Sequence, residues 1–271
     1  VSGHGGASPH PVFDFHARLV PRPGAAERLI EVLDASRIER AVVCAGGVIE
    51  LMRLSRQLVL GGHVETDADN DALLRAAGAS RGRLIPFWFA NPHRDASHYR
   101  ARAAEFRGLE ISPAVHGVDL TDPRIAELVA VAGEFGHPVY TVCLERAGSA
   151  VADLADLARR FPDVTFVLGH SGVGNIDYYG VEVIAPVANV LLETSGGYTT
   201  VLRAAIERLG ADRVLFGTEF PLQHPDAELA KYAALDLPAG QWRRIAWDNA
   251  VRLLGGSNNH DADHQPAAAA R

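Results

Sequence analysis

The sequence predicts an α/β fold built as one (β/α)₈ TIM barrel. Three observations point there. The chain has 271 residues, a length that suits a single barrel of this kind. Short apolar runs alternate with amphipathic segments eight times along it, the pattern of a parallel sheet covered by helices. Neither G-x-G-x-x-G nor G-x-x-x-x-G-K-[ST] occurs, although the competing doubly wound sheet usually carries such a phosphate loop.

The elements follow in order. Residues 11–19 (PVFDFHARL) read as the first strand. A helix over 23–37 has Pro23 in its first turn, where a missing N–H costs nothing. Residues 37–47 form the second strand, ending in glycines. Helical spacing covers 50–60 and 67–81. The third strand is 83–92, with a helix over 96–106. The fourth is 107–113, with a helix over 122–136 capped by Gly136. The fifth is 137–145, with a helix over 150–162 ended by proline. The sixth is 163–172, with a weaker helical pattern over 175–188. The seventh is 189–197, with a helix over 199–210. The eighth is 212–221, and helices over 226–236 and 239–256 close the chain. Residues 1–10 read as a flexible lead-in, 11–255 as the single domain and 256–271 as a disordered tail. His4, His10, His260 and His264 read as surface residues in those polar ends.

Hydrophobic residues make up 48% and charged residues 22%, an ordinary globular mixture. The net charge of −7 comes without a lysine–arginine run, which argues against a nucleic-acid partner. No apolar stretch is long enough to span a bilayer and no leader pattern opens the sequence, so no membrane partner and a cytoplasmic location are expected. Cys44 and Cys143 sit in apolar runs and read as buried thiols rather than a disulfide or nucleophile.

In such a barrel the site forms at the C-terminal ends of the strands. The first strand ends Asp14-Phe15-His16-Ala17-Arg18. Alternation puts Asp14, His16 and Arg18 on one face, where they serve a site or form a structural Asp14–Arg18 salt bridge. The sixth strand ends in His170 between small residues; histidine is the side chain that most readily exchanges a proton near neutral pH. Ser171 resembles a nucleophile elbow, but Val173 breaks G-x-S-x-G. The eighth strand ends in Thr218-Glu219, a carboxylate placed as a base or ligand, or as a helix N-terminal charge. Glu110, Ser112, Asn91, Glu145, Thr194 and Ser195 are lesser candidates. Phe87, Trp88 and Phe89 read as core.

These segments together resemble the amidohydrolase-related family, in the branch that includes aminocarboxymuconate-semialdehyde decarboxylase. The segments VFDFHARL, GLEISPAVHGVDLTDP, HPVYTVC, FPDVTFVLGHSG, NVLLETSG, DRVLFGTEFP and IAWDNAVRLLG stand in family order. The resemblance implies the barrel, an enzyme of hydrolase or lyase type and a metal site at the strand ends. His16 matches the first histidine of His-x-His, but Arg18 replaces the second. The fifth-strand histidine falls at about Val142. His170 is retained, and Glu219 replaces the eighth-strand aspartate. A catalytic zinc wants three ligands and an open position, whereas a guanidinium donates no lone pair and stays charged.

The expectation is therefore an enzyme without cofactor that acts by acid–base chemistry on a small anionic or polar molecule: decarboxylation, elimination, cyclisation, isomerisation or lactone opening. His170, His16 and Glu219 would be catalytic. Arg18 and Asp14 would bind substrate, Asp14 by holding Arg18 or His16 in place. Three alternatives stay open. One is a metal-dependent hydrolase or decarboxylase holding a single divalent ion such as zinc on His16, His170 and Glu219. The others are a non-catalytic binding barrel and a structural subunit. A homodimer is compatible with the sequence.

Overall fold

The computed structural model describes residues 10–255, so most of the lead-in and the whole tail lie outside it, with His4, His260 and His264. The strands are β1 (Val12–Leu19), β2 (Ile38–Ala45), β3 (Leu84–Pro86), β4 (Trp88–Phe89), β5 (Leu109–Ile111), β6 (Val139–Thr141), β7 (Phe166–Leu168), β8 (Val190–Glu193) and β9 (Val214–Leu215). All pairs are parallel and sequential. β3 and β4 are two halves of one strand: Phe87 N bonds to Val43 O at 3.0 Å on one side, and Trp88 N bonds to Gly108 O at 2.9 Å on the other. That makes eight staves. The backbone between 216 and 220 returns to β1, with Phe15 N to Phe216 O at 2.8 Å, Glu219 N to His16 O at 2.7 Å and Arg18 N to Phe220 O at 2.7 Å. The expected neighbourhood of first and eighth strands is present, and the fold is a (β/α)₈ barrel.

The helices before the seventh stave are α1 (Ala25–Ala35), α2 (Leu51–Leu60), α3 (Asn70–Ala79), α4 (Ala96–Arg102), α5 (Pro113–His116), α6 (Pro123–Glu134), α7 (Val151–Arg160) and α8 (Tyr178–Ile184). After it come α9 (Thr199–Leu209), α10 (Pro225–Leu235), α11 (Ala239–Arg243) and α12 (Asn249–Leu253). A π-turn at Arg244–Asp248 joins the last two.

Two apolar layers hold the barrel. Val12, Ala17, Leu29, Leu33 and many others fill the space between staves and helices. Phe13, Phe15, Cys44, Phe87, Tyr140, Val167, Leu191 and Leu215 fill the interior, with Trp247 and Ala250 of the closing helical segment packed against them. Strict alternation fails in β1: the register to β2 shifts between Asp14 and Ala17, a bulge that re-aims the strand. Phe13 and Phe15 therefore sit in the interior cluster, and the next residue, His16, also stacks on the interior Tyr140 at 4.0 Å between ring centroids. Asp14 does not share their face. Both cysteines are buried and free, as expected. No described helix is long and apolar enough to cross a membrane.

Candidate active site

Four charged side chains meet at the C-terminal mouth of the barrel. The Arg18 guanidinium grips Glu110 with both prongs, NH2 to Oε1 at 2.7 Å and NH1 to Oε2 at 3.2 Å. Its Nε donates to Glu219 Oε1 at 2.6 Å. His16 Nδ1 lies directly against Glu219 Oε2, and its Nε2 is 3.7 Å from Glu110 Oε2. Neither nitrogen makes a well-angled hydrogen bond, so these are ion-pair contacts. The Glu110 and His16 side chains are fully buried, while 16% of Arg18 remains open.

Charge and burial compete here. Burial opposes the imidazolium of His16, but the adjacent Glu219 carboxylate outweighs it and holds the ring protonated well above its usual range. Burial pushes the Glu110 carboxyl up, yet Arg18 and His16 bring it down to about 2. Glu219 is held well below the carboxylate range, with Arg18, His16 and His170 together overcoming its burial. Two cations thus face two anions.

His170 and Ser171 take left-handed backbone angles (φ 58° and 59°), as does Glu219 (φ 57°). Non-glycine residues there cost roughly 1–3 kcal/mol each and tend to cluster at functional sites. Beside them two glycines are required by close approach: a Cβ on Gly169 would strike the Tyr140 hydroxyl, and one on Gly217 the Glu193 carboxylate. His170 N donates to Glu193 Oε2 at 3.1 Å. Ser195 Oγ donates to the same oxygen at 2.9 Å, so it accepts from His170 Nδ1–H at 2.8 Å. The other ring nitrogen, Nε2, then faces Glu219 Oε2 at 3.8 Å.

His16, His170 and Glu219 bring ligand atoms within 4.8 Å of one another, and so do His16, Cys44 and Glu110. In the first set, His16 Nδ1, His16 Nε2 and Glu219 Oε2 are buried without a hydrogen-bond partner and are the atoms that would hold a divalent ion. Arg18 competes for the same carboxylate: its Nε already donates to Glu219 Oε1, and an ion would add positive charge beside the guanidinium. The second set is the poorer one: burial pushes the Cys44 thiol up to about 12, and the thiolate is the ligand form.

The amidohydrolase family pattern matches residues 51–256. The chain belongs to the amidohydrolase family. It is 27% identical over 158 residues to the gamma-resorcylate decarboxylase of Polaromonas sp. (strain JS666 / ATCC BAA-500). That match covers 49% of this chain and 47% of that enzyme, so it spans about half the length of the curated relative. Among solved structures, the 5-carboxyvanillate decarboxylase of Novosphingobium aromaticivorans, with bound manganese, has a TM-score of 0.68 at 15% identity over 92% of this chain and 98% of that one. The 2,6-dihydroxybenzoate decarboxylase from Rhizobium has a TM-score of 0.64 at 16% identity over 90% and 98%. At such identities the structural likeness is one of fold.

Within this amidohydrolase, His16, Arg18, His170 and Glu219 converge as the sequence suggested. Asp14 does not join them. Its oxygens accept from His16 N at 3.0 Å, Thr218 N at 2.9 Å and Thr218 Oγ1 at 2.5 Å. It pins the β1 bulge to the eighth stave and holds the His16 backbone, as expected of it, and it does not form the Arg18 salt bridge considered for it. Glu219 is turned into the site and is no helix N-terminal charge. Ser171 is fully buried and donates to Thr194 O at 3.2 Å, which removes it as a nucleophile. Phe89 is not purely core: Arg18 lies 5.6 Å from its ring centroid, and it lines the cleft above with Ser112 and Glu145. Asn91 serves its loop, bonded to Glu65 and Asp67. Thr194 bonds Tyr232 at 2.7 Å. Sequence reasoning ranked Glu110 and Ser195 low and passed over Glu193, Tyr140 and Thr218. A lone carboxylate at the end of the apolar run NVLLE was the available signal for Glu193, since an unpaired one there would be costly.

Proposed function

We propose that this amidohydrolase is a metal-independent lyase that removes the carboxyl group of a hydroxyaryl acid by proton transfer. One observation carries the reading: the Arg18 guanidinium, gripped by Glu110 and Glu219, supplies a fixed positive charge at the barrel mouth. The decarboxylase relatives support the choice of reaction over elimination, cyclisation or lactone opening.

A guanidinium has five N–H donors. Three are spent on the two glutamates, which leaves two for a substrate carboxylate or phenolate. The step uses His170 as the imidazolium: with Nδ1–H held by Ser195, Nε2–H gives its proton to the ring carbon that bears the carboxylate and the imidazole is left neutral. The new C–H bond takes a pair of ring electrons. The C–C bond then breaks, its electrons restore the aromatic ring, and carbon dioxide leaves. Solvent in the cleft returns the proton to His170. His16 and Glu219 hold the field in place, and Asp14 is a positioning residue. The partner in this reading is a small molecule, bound by the single barrel domain.

Hydroxybenzoates offered in D₂O test this. The product should carry one deuterium at the vacated carbon, seen by NMR, and His170→Asn should slow its formation by ~10²–10⁴-fold. Lactone consumption with no carbon dioxide released from any hydroxyaryl acid would contradict it.

A further inference from the structure

The cleft above Arg18, His170 and Glu219 holds about 1540 Å³. Ligand pockets commonly span ~300–1,000 Å³, so a single-ring acid on the charged floor leaves much of this space to water. The wall is apolar in a particular way. On α2, Leu51, Leu54 and Leu58 line the cleft, and their i, i+3, i+7 spacing makes one stripe. Such a stripe normally faces a core. Here Gln57 is the one buried residue of α2, tied to the Ala114 and Val115 carbonyls at 2.6 and 2.9 Å. Leu51 and Leu58 are 59% and 52% exposed, and Leu222 across the same cleft is 51% exposed. The helix is held by Gln57 and by Leu54, which packs against the Ala45, Val64, Phe89 and Val115 cluster, while Leu51 and Leu58 stand open to a space continuous with the charged residues.

We infer that the substrate is amphiphilic: a hydroxyaryl acid whose ring carries a long alkyl or polyene chain, the carboxylate seated at Arg18 and the chain lying along the Leu51–Leu54–Leu58 stripe. This rests on the anion-binding reading above. Continuity of the stripe with the charged floor favours such a molecule over a second copy of the chain, because a protein face covering α2 would close the mouth to substrate.

The test is calorimetric binding of 2-hydroxybenzoate and its 6-butyl and 6-octyl derivatives, below their micelle concentrations, to the unaltered protein. Affinity should rise ~10²-fold or more from the parent to the octyl compound, since burial of each methylene is favourable. Leu51→Asn with Leu58→Asn should remove most of that gain. Arg18→Ala should weaken all three compounds by a similar factor. Equal affinity across the series, or a gain that survives the leucine changes, would overturn the inference. So would equal affinity together with a dimer, seen by sedimentation, that the leucine changes dissociate. If the chain gain persists but Arg18→Ala changes nothing, the chain site stands and the Arg18 anchor falls.

Discussion

Glu110 binds Arg18 by both oxygens, at 2.7 and 3.2 Å, across 92 residues of sequence. The carboxylate is fully buried, so this pair fixes where a permanent positive charge stands in the barrel mouth. Removing one member of a buried pair leaves the other uncompensated, which costs ~3–5 kcal/mol.

Glu110→Gln should therefore destabilise the protein, near the lower end of that range because Glu219 still faces Arg18. For a chain of this size the loss should appear as a Tm decrease of roughly 6–12 °C by calorimetry. A change below about 1 °C would mean the pair contributes little.

Stability should depend on pH in two opposed windows. The Glu110 carboxyl moves from 4.5 to about 2 on folding. A lowered carboxylate gives stability that is present above its unfolded value and lost as the pH falls toward the folded one. Burial moves Asp14 the other way, from 3.8 to about 7, despite its donors from Thr218 and His16. The folded state then binds the extra proton, so stability declines as the pH rises through that window. Urea midpoints between pH 3 and 8 should show Glu110→Gln flattening the acid side and Asp14→Asn flattening the range from about 4 to 7. Unchanged slopes would contradict the assignment.

Ser195 holds the hydrogen of His170 on Nδ1. Ser195→Ala should lower kcat up to ~10²-fold through misplacement of the ring. His170→Asn should lower it by ~10²–10⁴-fold, the usual size of an acid–base contribution. Only Ser195→Ala should shift the pH profile of kcat while keeping its shape. Near-normal turnover in His170→Asn would pass the proton-transfer role to Glu219 or His16.

Much of this was legible in the sequence, for physical reasons. Eight apolar runs separated by amphipathic segments specify a covered parallel sheet, and polar residues just past the runs mark the strand ends. His16, Arg18, His170 and Glu219 announced themselves in this way. The partners did not. Nothing local to Arg18 says that Glu110 will meet it, because that contact is made by barrel closure. The bulge after Asp14 defeated strict alternation and turned Asp14 away from the site. Glu193 was hidden by its apolar neighbours, although four donors converge on its carboxylate: the Tyr140 and Ser195 hydroxyls and the Ser195 and His170 amides.

The central claim is that the Arg18 guanidinium does the work a metal ion would do. The most direct measurement is elemental analysis of freshly purified protein, paired with turnover before and after chelation. The account predicts well under one equivalent of zinc, manganese or iron, unchanged turnover after chelation, and greater loss of substrate binding in Arg18→Ala than in Arg18→Lys. One equivalent of metal whose removal abolishes turnover, and whose return restores it, would contradict the account and give His16, His170 and Glu219 the role of ligands.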